Sequence, residues 1–365
     1  MARIGFFSKG GGTPFLLAGV ALLGLTIALA EYDRRHPLKD AAVEAPTAAP
    51  EKKPLPKLLT TTPPMAEAAS SSEQLQHFQD LLKTGGAAVG PFKPVLSGDF
   101  VARELRGGFG AVLFLVDAQG QSALVRAVAG EGAKVVVARA ARITTLQVDG
   151  STAFFAEGGK VLSVSARGGE APVTRADFSE AVVTALAAVG DTVFVALMPS
   201  QKPLSDDAIG AVAKIDTDGT VKLIAADQAR PRDLVADGHD VFWVSGAPGT
   251  VWRAPVDGSF TSRLTDGQGP LALDGEGVVI AAAGELRRVA RAGGAPLVLA
   301  HASVDALTAS SGLVSYAAGD TLFQVSANAE PVELGRFTGA LRGVALGGTS
   351  LYALTAGEGS TLYAR

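Results

Sequence analysis

Five times the chain sets two turn residues nine positions apart: Gly159 and Gly168, Gly210 and Gly219, Gly249 and Gly258, Gly284 and Gly293, Gly319 and Asn328. Each pair encloses a short apolar or alternating run, such as GTVWRAPVDG at 249–258. Glycine, or failing it asparagine, is what a backbone needs where φ turns positive, so each pair marks out one strand of a hairpin. The pairs begin at 159, 210, 249, 284 and 319, at intervals of 51, 39, 35 and 35 residues. That is the period of a four-stranded propeller blade, and the fold class it predicts is an all-β propeller.

Units of four strands can be traced from about residue 98 onward. One starts near Ile143, and others start near Val182, Arg232, Pro270, Val304 and Leu341. An earlier unit occupies 99–141, where FVAREL, AVLFLVDAQG, SALVRAVAGEG and KVVVARAA serve as its strands. This makes seven blades. If KVVVARAA instead closes the ring, there are six, with 111–130 as an appended hairpin. The last unit supplies only three strands before Arg365, and its hairpin opens at Gly359 with no second turn. An open blade leaves an unpaired edge. The expected remedy is a strand from around Ala88–Leu96, where Pro91 and Pro94 fit only at an edge.

One stretch carries a family resemblance. The segment 234–264, LVADGHDVFWVSGAPGTVWRAPVDGSFTSRL, resembles the YWTD repeat of low-density-lipoprotein-receptor type propellers and the similar repeats of bacterial envelope propeller proteins. The matching positions are Asp237-Gly238, Phe242-Trp243, Gly249, Val251, Arg253 and Asp257-Gly258. Val244-Ser245 replace the Thr-Asp of that signature. The resemblance implies a propeller and carries no activity with it.

The segments ahead of the propeller (87–365) differ from it in kind. Residues 14–30, PFLLAGVALLGLTIALA, are uncharged and follow Arg3 and Lys9. They read as a membrane anchor, or as a signal peptide cleaved after Ala30. Residues 1–30 thus form a tail with an anchor or signal. The expected location is the bacterial cell envelope, with the chain held at the inner membrane and facing the periplasm, or released there after cleavage. Residues 31–69 scatter seven prolines among Ala, Thr, Lys and Glu and read as a disordered, extended linker. Residues 70–86 read as a short helix. Ser70 and Glu73 form a capping box, Leu75, Phe78, Leu81 and Leu82 an apolar stripe, and Gly85 or Gly86 a stop. The stripe is expected to pack on the domain behind it.

Chemistry is sparse. The net charge is −4 with no basic, aromatic-laced stretch, which excludes a nucleic-acid binder. There is no cysteine, hence no disulfide, thiolate site or cysteine nucleophile. Of the four histidines, His36 and His77 precede the propeller, and His239 and His301 have no partner at ligand spacing. Asp216-x-Asp218-Gly219 reads as a hairpin turn rather than a calcium loop. Trp243 and Trp252 read as core. No phosphate cradle or nucleophile elbow occurs, so neither cofactor, metal nor catalytic residues are expected.

One departure from the repeat remains. The distance from first turn to hairpin glycine is 9 residues for Gly150–Gly159 and 11 for Gly238–Gly249, but 20 for Gly190–Gly210. The excess, PSQKPLSDDAI at 199–209, forms a polar loop on the face that carries the blade-to-blade connections. Loops on rigid scaffolds are where binding concentrates. The candidate binding residues are Gln201, Lys202, Ser205, Asp206 and Asp207 on this loop, with Arg230, Arg232 and Asp233 on the next connection. The inner-strand starts Thr145, Ala185, Asp233, Pro270, Asp305 and Arg342 should ring the channel mouth, and their mixed chemistry argues against catalysis. The reading is a non-catalytic module for a protein or envelope ligand. The alternative is a propeller lyase or hydrolase using His301 and Asp305 at the mouth.

Overall fold

Apolar runs bounded by turn residues become the second strand of every blade, because a strand covered on both faces has no polar side. Ala111–Ala118, Asp240–Ser245 and Val278–Ala282 are buried over most or all of their length. The computed structural model describes residues 59, 61, 64–84, 86–108, 110–201, 208–356 and 359–365. Among these, seven antiparallel four-stranded sheets follow one another around a ring. Blade 1 spans 101–139, blade 2 145–177, blade 3 181–229, blade 4 232–266, blade 5 271–300 and blade 6 306–336. Blade 7 takes three strands from 340–364 and its fourth, Lys93–Gly98, from the start of the domain. Seven apolar clusters fill the seven gaps between neighbouring blades.

The closing strand lies a few residues later than the sequence suggests, at 93–98 rather than 88–96. It pairs Lys93 with Ala364 and Leu96 with Leu362, with a register shift at Pro94–Leu96. Proline cannot donate to a ladder, so the outermost position of the blade accommodates Pro94. Pro91 sits in the tight turn between Val89 and Phe92, which bond to each other in both directions. Ring closure gives seven blades, one more than the six of a YWTD propeller.

The glycine pairs frame the third strands as expected, but for two different reasons. The second members are all left-handed, with φ from 60° at Asn328 to 91° at Gly293. Gly159 and Gly210, by contrast, do not have positive φ. A Cβ there would stand 2.1 Å from the Phe178 and Leu197 carbonyl oxygens respectively. At these two sites close backbone approach, not turn geometry, demands glycine.

The helix runs over Ser72–Leu81 and starts one residue later than its sequence cue. Ser71, not Ser70, is the N-cap, and it exchanges hydrogen bonds with Gln74. Ser70 instead bonds the Ala138 main chain in both directions (2.8 and 2.9 Å), and Gln79 bonds Val135 and Ala133. The helix thereby lies along the outer strand of blade 1, with Phe78 fully buried. Just before it, Met65–Ala66 adds a fifth strand to blade 2, Thr61 bridges to Phe178, and Leu59 packs between blades 2 and 3. The end of the proline-rich segment therefore lies along the propeller. Residues 1–58, including the apolar run 14–30, are outside the described residues. Among the described residues no helix is long and apolar enough to cross a membrane.

An ion cluster holds this strap. The Glu67 carboxylate meets Lys160 Nζ at 3.0 Å, Thr174 Oγ1 at 2.8 Å and Arg139 at 3.5 Å, while Arg139 also pairs with Glu157. The Lys160 and Thr174 hydrogen bonds hold the Glu67 pKa below its ordinary 4.5. A carboxyl whose pKa is lower folded than unfolded stabilises above the unfolded value and loses that contribution as pH falls through the folded one. Stability should therefore drop on acidification from about pH 5 to pH 3, and Glu67→Gln should flatten that part of the curve. Melting temperatures of both proteins across the interval check this; parallel curves would rule the cluster out as the cause.

Candidate functional site

The axis of the ring is an open cavity of about 480 Å³ walled by the inner strands. Thr145, Ala185, Asp233, Pro270, Asp305 and Arg342 all line it, as the turn alignment requires. Blade 1 adds Glu104 and Arg106, which that alignment missed. Both residues sit in a bulge. Inner strand Val101–Gly108 shifts register between Arg103 and Arg106, so period-two alternation fails there. Blades 3, 4 and 7 shift register at the corresponding place, between Val183 and Ala185, Arg232 and Val235, and Leu341 and Gly343.

These bulges carry strained backbone. Glu104 has φ 55° and Asp233 φ 50°, left-handed values that cost a non-glycine residue about 1–3 kcal/mol. Both side chains face the channel. Arg106 donates to Glu104 at 2.7 Å, to the Leu105 carbonyl at 3.2 Å and to the Leu146 carbonyl of blade 2 at 3.1 Å. Arg232 donates to the Gly246 carbonyl at 3.0 Å and to Gln268 O at 3.4 Å, tying a hairpin of blade 4 to the next connection. These two guanidinium groups are consumed by the scaffold. Asp305 accepts the Gly319 amide at 2.8 Å.

Asp233 is different. Its nearest cation is Arg232 Nε at 3.8 Å, beyond hydrogen-bond range, and the Gly269 backbone packs against its carboxylate. Desolvation by the channel walls raises its pKa; Arg232 and Arg106 oppose the rise and Glu104 adds to it. Arg342 is exposed and lines the same cavity.

The long loop between the second and third strands of blade 3 rises from Thr192–Pro199 and returns at Ile209–Ile215. Of its candidate residues, Gln201 is exposed, and Lys202, Ser205, Asp206 and Asp207 lie outside the described residues. Both feet are tied to neighbouring connections: Ser200 N donates to Glu180 O at 3.0 Å, and Arg230 N to Ala208 O at 3.2 Å. The loop base and the Arg230–Asp233 connection are thus brought together. Arg230 itself stands at φ 45°.

His301 is not at the channel mouth. It lines a separate groove of about 1150 Å³ between blades 5 and 6, with its side chain 81% exposed and Nδ1 3.4 Å from Glu285. Asp305 borders both cavities. Asp216 and Asp218 serve a turn: Asp216 bridges Lys214 and Lys222 at 2.8 and 2.9 Å, and Asp218 accepts the Thr220 amide. Among the described residues no cluster of three or more metal-ligating side chains occurs.

No family model matches the chain, and no curated protein matches it. Its likeness is to solved propellers. The WD40 propeller domain of Doa1 is 15% identical with a TM-score of 0.55, over 75% of this chain and 97% of that one. The acylaminoacyl peptidase of Pyrococcus horikoshii is 10% identical with a TM-score of 0.54, over 70% and 49%. BamB from Moraxella catarrhalis is 11% identical with a TM-score of 0.50, over 83% and 97%. At such identities the similarity is one of fold, and it spans a peptidase as readily as a WD40 domain. What the chain shares with all three is the β-propeller.

Proposed function

We propose that this chain is an exported, membrane-tethered propeller of the bacterial envelope that binds a protein or envelope ligand without transforming it. In this reading the binding face is the one carrying the blade-to-blade connections. The observation that carries it is the loop at 199–209, whose two feet are hydrogen-bonded to the connections on either side. A tolerated surface insertion needs no such anchorage, whereas a recognition loop gains from a fixed base. The YWTD-like character of blade 4 fits the same reading, because it supplies scaffold and no chemistry. Engagement of Arg106 and Arg232 by backbone carbonyls is consistent with it too, since catalytic groups are kept free to reach a substrate.

The test is replacement of residues 199–209 by a two-residue turn. In cross-linked pull-downs from the envelope fraction, the wild-type chain should capture a defined partner and the shortened chain should not, with both melting at the same temperature. Equal capture by the two proteins would exclude the loop. N-terminal sequencing of the mature protein decides between a retained anchor and cleavage after Ala30.

A further inference from the structure

The channel mouth holds two opposite charges that have no hydrogen-bonding partner among the described residues. Of its charged side chains, Arg106 and Glu104 pair with each other, Arg232 is spent on carbonyl oxygens, and Asp305 holds an amide. Asp233 accepts no hydrogen bond, and Arg342 has no polar partner among the described residues. The two occupy equivalent bulges on blades 4 and 7, three blades apart and so on opposing walls. A sphere of the cavity's volume is about 10 Å across, at the small end of ligand sites. Below the charged rim the lining is largely polar, with Thr145, Gln147, Thr184 and Thr308 in it, while Leu186, Leu234 and Leu271 belong to the clusters between blades; no lining residue is aromatic. Sugars and planar rings would lack a stacking platform there.

We propose that the channel mouth binds a small linear zwitterion, its ammonium group on Asp233 and its carboxylate on Arg342, with a short chain between. Neither charge suffices alone. A bare cation on Asp233 would lie close to Arg232, and a bare anion on Arg342 would lie between the blades that carry Glu104 and Asp305. A molecule carrying both signs, spaced to reach both walls, satisfies each in turn. An ammonium group also relieves the desolvated Asp233 carboxylate, which the walls otherwise push toward its neutral form. Left-handed backbone at Glu104 and Asp233 accompanies the placement of both residues in the channel wall. This site shares Asp233 with the candidate binding face but uses no residue of the 199–209 loop.

The experiment is calorimetric titration of the full chain at low salt with 4-aminobutyrate, n-butylamine and butyrate. The zwitterion should bind at least tenfold more tightly than either single-charge probe. Asp233→Asn should abolish that advantage by weakening the two amine-bearing probes, and Arg342→Gln by weakening the two carboxylates. The chain with 199–209 shortened should bind all three as wild type does, so that failure of one proposal leaves the other standing. Absence of binding by 4-aminobutyrate, or equal affinities in wild type and Arg342→Gln, would overturn the assignment. Arg342 is exposed, so this second variant stays informative even if Asp233→Asn alters the fold.

Discussion

Leu96→Asp is expected to open the ring. Leu96 is 1% exposed, pairs with Leu362, and belongs to the cluster between blades 7 and 1. An unpaired carboxylate at that position must either drag water into the cluster or pull the closing strand away. The first route forfeits the burial of a whole leucine side chain and adds the cost of desolvating a charge, together well over about 4 kcal/mol. The second exposes Ser360–Ala364 as a bare edge, a template for association between chains. Circular dichroism should show a thermal transition that is broad and shifted down by more than 10 °C, roughly what that loss predicts at about 2–4 °C per kcal/mol. Size-exclusion chromatography should show larger species. Leu96→Ala, which leaves a cavity but no charge, should cost about 2–5 kcal/mol and keep a single transition. A variant Leu96→Asp with wild-type melting would mean that closure does not hold the ring.

The second large effect belongs to Trp243. Its indole is fully buried in the cluster between blades 3 and 4, faces Trp252 across the ladder, and donates Nε1–H to Gln228 at 2.9 Å. Trp243→Ala removes the largest side chain of that cluster and orphans the Gln228 carbonyl. The expected cost is about 3–5 kcal/mol, read from urea unfolding followed by circular dichroism. Trp243→Phe keeps most of the volume and should lose a smaller share, the part due to the hydrogen bond and the missing ring. If both variants cost the same, the hydrogen bond rather than the packing is what the site contributes.

Turn residues made the ring legible because turns impose local demands on single positions. Gly168, Gly219, Gly258, Gly293 and Asn328 sit where φ is positive, and their spacing alone yields the blade period. Blade 1 was harder to read because no turn pair nine residues apart frames its third strand, and the alignment that found six wall positions gave it none, so Glu104 and Arg106 went unnoticed. The strap was illegible for another reason. Met65–Ala66 gains its strand character from the edge of blade 2, and Glu67 its partners from Lys160, Thr174 and Arg139, so nothing local in the proline-rich segment announces either. His301 failed in the opposite direction. Its place at a blade junction suggested the axis, but the connection turns it outward into the groove beside blade 6. Which channel charges are spent and which are free depends on carbonyl oxygens dozens of residues away, as with Arg106 and Leu146 or Arg232 and Gln268.

The pairing of Lys93 with Ala364 spans 364 − 93 = 271 residues, whereas every rung among the four blade strands of blades 1 to 6 joins strands adjacent in sequence. Bringing two ends of such a segment together costs about 5 kcal/mol of chain entropy, so closure waits for the blades between to form. During synthesis the growing array is a crescent with an unsatisfied strand at each tip. A chain that crossed a membrane unfolded would keep those tips apart until both had arrived on the far side. The same device that seals the finished ring thus makes its assembly an all-or-nothing event, completed by the meeting of two segments made far apart in time.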